Sequence, residues 1–115
     1  MAYSLNRLAE LYRRQGKYAE AEPFYLRALH IREQALGSEH PDTAEVIYDF
    51  ALLRDAQGNR DEAKSLYTRA LAIREQALSK HHPKTTEARK HLITLLYAME
   101  QHEQAAQLEA AQSEP

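Results

Sequence analysis

The chain has 115 residues, no cysteine, three glycines and no long apolar run. Without cysteine there are no disulfides, no thiolate catalysis and no cysteine-ligated zinc; the composition fits a reducing compartment, and the cytoplasm is the default expectation. The glycines, Gly16, Gly37 and Gly58, form no phosphate-cradling loop. The longest apolar stretches, VIYDFALL and LITLLY, are too short to span a bilayer, and MAYSLNRLAEL lacks the basic start and apolar run of a signal peptide, so no membrane is expected. An excess of one charge is missing too. Charged residues make up 28% of the chain, but the net charge is -2 and the pI about 6.3, which leaves no global field to attract nucleic acid.

What the chain does have is a phrase written twice. RALHIREQAL followed by GSEHPDT returns as RALAIREQAL followed by SKHHPKT. Gly16 and Gly58 stand 42 residues apart, and the same offset pairs Ala9 with Ala51, Leu11 with Leu53, Gln15 with Gln57, Ala21 with Ala63, Tyr25 with Tyr67, Ala28 with Ala70, and His40-Pro41 with His82-Pro83. A second step of the offset reaches Leu92, Leu95 and Ala105, but places Glu100 at the glycine and Ile93 at the alanine. A third, degenerate unit is expected.

Within a unit the apolar spacing is helical. Leu5, Leu8, Ala9, Leu11 and Tyr12 form one stripe, and Ala21, Phe24, Tyr25, Ala28, Leu29 and Ile31 form a second. Gly16 supplies a left-handed cap between them, and Asn59 with Glu62 resembles a capping-box start. Pro41 and Pro83 suit a first-turn position, where the missing N–H is not needed. Each unit is therefore a helical hairpin, with alanine recurring where two helices must approach closely. A lone hairpin cannot bury both of its faces, so neighbouring units must supply the rest of the core.

LNRLAELYRRQGKYAEAEPFYLRAL resembles the tetratricopeptide repeat, through Leu8, Ala9, Tyr12, Gly16, Tyr18, Ala21, Tyr25 and Ala28. The 42-residue period and the HPDT-like join are similar to kinesin-light-chain-type repeats, longer than the usual form of about 34 residues. The resemblance implies an all-α, right-handed superhelical solenoid of about three antiparallel hairpins. It divides a single domain, 1–115, into repeats at about 3–37, 41–79 and 83–112, the third degenerate and capping. Arg54 departs from the pattern where Tyr12 stands, Arg60 and His102 where Tyr18 stands, and Arg89 where Leu5 and Ile47 are apolar, so the later units are expected to pack less conventionally. The last segment, QHEQAAQLEAAQSEP, reads as a polar cap and a true carboxyl terminus. The amino end opens directly in a helix, as in a fragment of a longer array or a surface that pairs with another copy.

In the resembled family the first helix of each hairpin lines a concave groove for a peptide or partner helix. Mapped residue by residue, that face presents Tyr3, Asn6, Glu10 and Arg13, then Glu45, Tyr48, Leu52 and Asp55, then Glu87, Lys90, Thr94 and Tyr97. Asn6 matches the asparagine that family members use to hold a peptide backbone; Tyr48 and Lys90 stand at its equivalents. The candidate partner-binding residues are Asn6, Glu10, Arg13, Tyr48, Leu52, Asp55, Lys90, Thr94 and Tyr97, with Tyr48, Leu52 and Tyr97 as anchors.

Other constellations read as structure. His40 and His82 are equivalent positions at helix starts, His81 beside His82 lacks the spacing of a zinc site, and His91 and His102 read as surface histidines, so no metal or cofactor is expected. Arg32-Glu33 recurs as Arg74-Glu75, which predicts solvated ion pairs linking neighbouring repeats. Ser4, Ser38, Ser65, Ser79 and Ser113 have no activating base or elbow, and the basic YRRQGK faces the acidic AEAE. The chain reads as a non-catalytic protein-interaction module for a protein or peptide partner. The alternative is an assembly segment that stacks through its amino-terminal helices on upstream repeats or a second copy.

Overall fold

The computed structural model describes residues 1–113; residues 114–115, part of the expected domain, lie outside the described residues. Among the described residues six helices follow one another: α1 (Ala2–Arg14), α2 (Tyr18–Leu36), α3 (Pro41–Ala56), α4 (Arg60–Ala77), α5 (Pro83–Ala98) and α6 (His102–Gln112). Each packs on the next, so α1 with α2, α3 with α4 and α5 with α6 form three hairpins stacked into a slab of 38 × 29 × 18 Å.

The tight turn inside each hairpin has the same geometry. Lys17 N–H donates back to the Tyr12 carbonyl at 2.9 Å, Asn59 to Arg54 at 2.9 Å, and Gln101 to Leu96 at 2.8 Å, each closing the last helical turn around a residue with positive φ. Gly16 and Gly58 supply that conformation at φ 78° and 82°. In the degenerate unit Glu100 is driven to the same turn at φ 62°, although its Cβ disfavours it. The helix starts follow from their caps. His40 Nδ1 accepts from Asp42 N–H at 3.0 Å, and His82 Nδ1 accepts from Lys84 N–H at 3.1 Å, which explains why histidine recurs before the proline. Asn59 accepts from Glu62 N–H at 3.3 Å, while its own amide, in place of its backbone N–H, donates to the Glu62 carboxylate at 3.0 Å.

Stacking then buries what a single hairpin cannot. Helix α3, covered from both sides, buries nine residues, whereas α1 buries three and α6 only Ala105. Phe50 and Leu53 of α3 cluster with Ala9, Ala21 and Tyr25 of the first hairpin; Leu92 and Leu95 of α5 cluster with Ala51, Ala63 and Tyr67 of the second. These alanines are fully buried because any larger side chain would push the helices apart. Burying each Leu or Phe contributes roughly 1.5–3 kcal/mol, so the two junctions dominate the cohesion of the stack.

Two arginines correct the picture of solvated ion pairs. Arg74 is 1% exposed: its guanidinium lies 4.7 Å over the Tyr48 ring, donates to Glu45 at 3.1 Å and to the Lys84 carbonyl at 2.9 Å, and stands 3.7 Å from Glu87. It is a buried tie between α3, α4 and α5. Arg89, also 1% exposed, occupies the place of Ile47 and reaches Glu75 at 3.2 Å and the Lys80 carbonyl at 3.3 Å, with no partner for Nη1 among the described residues. Glu33 does link neighbouring hairpins from a half-exposed position, accepting from Arg69 at 2.9 Å. Arg54, in place of an aromatic, joins Glu22 of the first hairpin to Glu62 of the second and lies 4.8 Å over the Phe50 ring.

Candidate partner-binding groove

Among the described residues, two cavities open between successive first helices of the hairpins, beside others on α1 alone and on α5 alone. The larger, about 440 Å³, lies where α1 meets α3; Tyr3, Asn6 and Glu10 face Glu45 and Asp49 across it, and Arg32 of α2 contributes to its wall. The smaller, about 200 Å³, lies where α3 meets α5 and is lined by Asp55, Lys90, His91 and Thr94. Among the candidate residues the structure thus brings Asn6 together with Glu10, and Asp55 together with Lys90 and Thr94. Arg13, Tyr48, Leu52 and Tyr97 line neither cavity.

Each of these four has work inside the fold. Arg13 Nε donates to the Tyr25 hydroxyl at 3.1 Å, which fixes the end of α1 on α2. Tyr48, expected as an exposed anchor, is 5% exposed. It lies in the central helix, against Tyr67 and His91 and beneath Arg74, with its hydroxyl 2.9 Å from His91 Nδ1. Burial raises its hydroxyl pKa and Glu87 adds to the rise, while Arg74 opposes it. Leu52 is half-buried against the same core. Tyr97 is 40% exposed, yet its hydroxyl donates to Glu109 of α6, and its ring meets His102 edge-on at 5.7 Å. His91 and His102 therefore serve different aromatic partners and do not meet.

The electrostatics of the larger cavity depend on a buried carboxyl. Asp49 is 6% exposed and accepts from the Asn6 amide at 3.0 Å. Burial pushes its pKa up to about 6; the Asn6 bond and Arg13 oppose that rise, and Glu45 and Glu10 add to it. Glu10 is shared by Arg7 at 3.4 Å and Arg14 at 3.5 Å, and Glu45 by Arg74 at 3.1 Å and Lys84 at 3.2 Å. Asn6 Oδ1 and Arg32 Nε are buried without a hydrogen-bond partner among the described residues. Sequence mapping missed Asp49, Arg32 and His91. For Asp49 a signal was present, a lone acid inside the otherwise apolar run VIYDFALL. The other two were read otherwise, Arg32 as one half of a solvated ion-pair motif and His91 as a surface histidine.

A family profile described as tetratricopeptide repeat matches residues 1–76. The chain belongs to the tetratricopeptide repeat family. Among solved structures, a Podosopora anserina protein of nearly identical TPR-like repeats, described as a kinesin light chain, is 27% identical with a TM-score of 0.80, over 92% of this chain and 50% of that one. BtubC (BKLC) from P. vanneervenii superimposes with a TM-score of 0.81 at 23% identity, over 96% of this chain and 47% of that one, a likeness of fold alone. A nucleotide-binding leucine-rich repeat (NLR)-like protein of Hyaloscypha variabilis is 56% identical over 39 residues, which is 34% of this chain and 4% of that protein. The chain thus spans about half the length of the matched structures and a small part of the curated relative. Tetratricopeptide repeats generally mediate protein–protein interactions, and the helical-repeat solenoid expected from the 42-residue offset is the fold observed. Among the described residues no helix is long and apolar enough to cross a membrane.

Proposed function

We propose that this tetratricopeptide domain is a non-catalytic interaction module that holds a peptide or partner helix along α1, α3 and α5. The observation that carries this reading is the pair of cavities opening in succession along the same three helices, one where α1 meets α3 and one where α3 meets α5. Asn6 and Glu10 serve the first, and Asp55, Lys90 and Thr94 serve the second, as polar groups that orient a bound chain. Tyr48 and Leu52 lie in and against the core that carries these helices and line neither cavity. Tyr97 offers an exposed ring at the far end, and Arg13 braces the near end.

The test is a random-peptide selection on the purified domain, followed by affinity measurements on Lys90→Glu, Asp55→Lys and, as a control on the exposed side of α2, Arg27→Glu. Groove binding requires the first two to weaken the selected peptides by tenfold or more, about 1.4 kcal/mol, and the control to leave them unchanged. Peptides that respond to Arg27→Glu and ignore both groove variants would refute the assignment.

One observation favours a second reading, stacking through the amino-terminal face. Leu8 and Leu11 occupy the register of Phe50 and Leu53, which bury into a neighbouring hairpin, yet they are 36% and 53% exposed. Light-scattering mass over a hundredfold dilution decides it. Stacking between copies predicts a dimer that dissociates on dilution and is lost in Leu11→Glu; a monomer throughout removes self-association.

A further inference from the structure

A further cavity, of about 380 Å³, lies where α4, α5 and α6 meet and shares no lining residue with the two groove cavities. The internal repeat shows how it arises. At the first junction Glu22 and Glu62 both take the guanidinium of Arg54, and Glu33 takes that of Arg69, so ion pairs close the gap between the first two hairpins. One repeat later the places of Glu22, Arg54 and Glu62 are held by Lys64, Leu96 and Gln104, and those of Glu33 and Arg69 by Glu75 and Ala111. Neither set of pairs can form again. The side chains around the gap shrink as well, since Leu26, His30 and Phe50 become Thr68, Ala72 and Leu92.

What remains is an apolar slot with a cation at one end. Leu71, Leu92 and Leu96 line it and are themselves buried, so the space between the helices admits a slender guest rather than a bulky one. Along α4 the lining runs from Lys64 to Glu75. Lys64 donates to the neutral Gln101 side chain at 2.7 Å and makes no ion pair among the described residues, because leucine stands where its register mate finds an opposite charge. Glu75, at the other end, already accepts from Arg89 at 3.2 Å. One end therefore lacks an anion and the other has its cation, which orients a guest with its negative head at Lys64. From Lys64 to Ala72 the helix rises about 12 Å, the length of an extended aliphatic chain of about ten carbons.

We propose that this slot binds a medium-chain fatty acid, its carboxylate on Lys64 Nζ and its alkyl chain laid along Leu71, Leu92 and Leu96. The site is separate from the groove and does not rest on the groove reading. An apolar cavity with few polar groups is the usual form of a small-molecule site, and its size falls within the range of roughly 300–1,000 Å³ found for such sites. Lys64 selects an anionic head over a cationic one, and the leucines select a linear chain. A guest that touches α4, α5 and α6 together ties the degenerate third hairpin to the second, replacing the ion pairs that hold the first junction.

The experiment titrates the full chain with sodium decanoate below its micelle concentration, following the leucine methyl resonances by NMR. Octanoate, decyltrimethylammonium and N-acetyl-leucine amide serve as comparisons. Decanoate should give saturable shifts at Leu71, Leu92, Leu96 and Leu108 and none at Leu8 or Leu11, with a dissociation constant on the order of 0.1 mM. Octanoate, two methylenes shorter, should bind about tenfold more weakly. Lys64→Gln should weaken decanoate at least threefold and remove its advantage over decyltrimethylammonium. The double variant Thr68→Leu, Ala72→His alters two exposed residues and restores the larger side chains of the first junction, so it should weaken decanoate at least tenfold. Undiminished binding in the double variant overturns the proposal, and so do shifts of equal size at Leu8 and Leu11, which mark adsorption of a detergent. Equal binding of decyltrimethylammonium to the parent chain overturns the role of Lys64 and with it the fatty acid. N-acetyl-leucine amide acting as strongly as decanoate overturns the proposal in favour of a partner's side chain, and the same shifts on concentrating the chain alone overturn it in favour of a second copy.

Discussion

Replacing Asp49 by asparagine should stabilise the protein at neutral pH. The carboxyl is 6% exposed and its pKa rises from the ordinary 3.8 to about 6 on folding, chiefly through burial. Below pH 3.8 both the folded and unfolded chains carry the proton, and no charge penalty exists. Between the two values the unfolded chain has released its proton while the folded chain retains it, so stability falls as pH rises; above about 6 the loss is complete. A gap of roughly two pH units at ~1.4 kcal/mol each amounts to about 3 kcal/mol. Asp49→Asn keeps the shape and an acceptor for the Asn6 amide while removing the titration. Urea unfolding followed by circular dichroism at intervals from pH 4 to pH 8 should therefore show the variant more stable by up to about 3 kcal/mol at pH 8, with the advantage vanishing near pH 4. Asn6→Ala, which removes a bond that favours the charged form, should move the other way: less stable by roughly 1.5–3 kcal/mol at pH 8, and by less at pH 4. An Asp49→Asn protein that is less stable than the parent at pH 8, or whose advantage does not depend on pH, would refute the argument from burial.

Three further outcomes follow from the same contacts. Glu100→Gly places glycine where the turn at φ 62° wants it and should stabilise by about 1 kcal/mol in chemical denaturation; no gain would mean the turn carries no strain. Arg89→Ile restores the side chain of its register mate Ile47, and unfolding should find it at least as stable as the parent, whereas Arg89→Ala should lose about 3 kcal/mol by leaving a hole where the buried side chain stood. Ala51→Leu wedges the junction that receives α5 and should lose at least about 1–3 kcal/mol of stability by the same assay, while an exposed alanine such as Ala72 tolerates the change.

The hairpins, their stacking and their turns were legible because each is written locally or twice. Gly16 and Gly58, the histidine before each proline and the alanines at fixed register state backbone conformation, capping and helix spacing, and these depend on short stretches of chain and on repetition. The carboxylate-paired arginines were not legible in that way. Arg32 and Arg74 share one sentence of sequence, yet Arg74 is a buried tie and Arg32 makes no ion pair among the described residues, because Glu45 and Glu87 on other helices flank Arg74 whereas Tyr3, which has no carboxylate, and Glu45, already held by Arg74, stand at the matching places one repeat earlier. Tyr48 was misplaced for a related reason: its position in the repeat points it toward the groove, but only the packing of hairpins on both sides of α3, and a guanidinium laid over its ring, determines that it is covered. Periodicity by itself determined the architecture, since apolar burial follows from which face a residue occupies. Tertiary structure decided the charges, because the state of a charged side chain depends on which partner three-dimensional packing brings within a few ångströms, and no period in the chain encodes that distance.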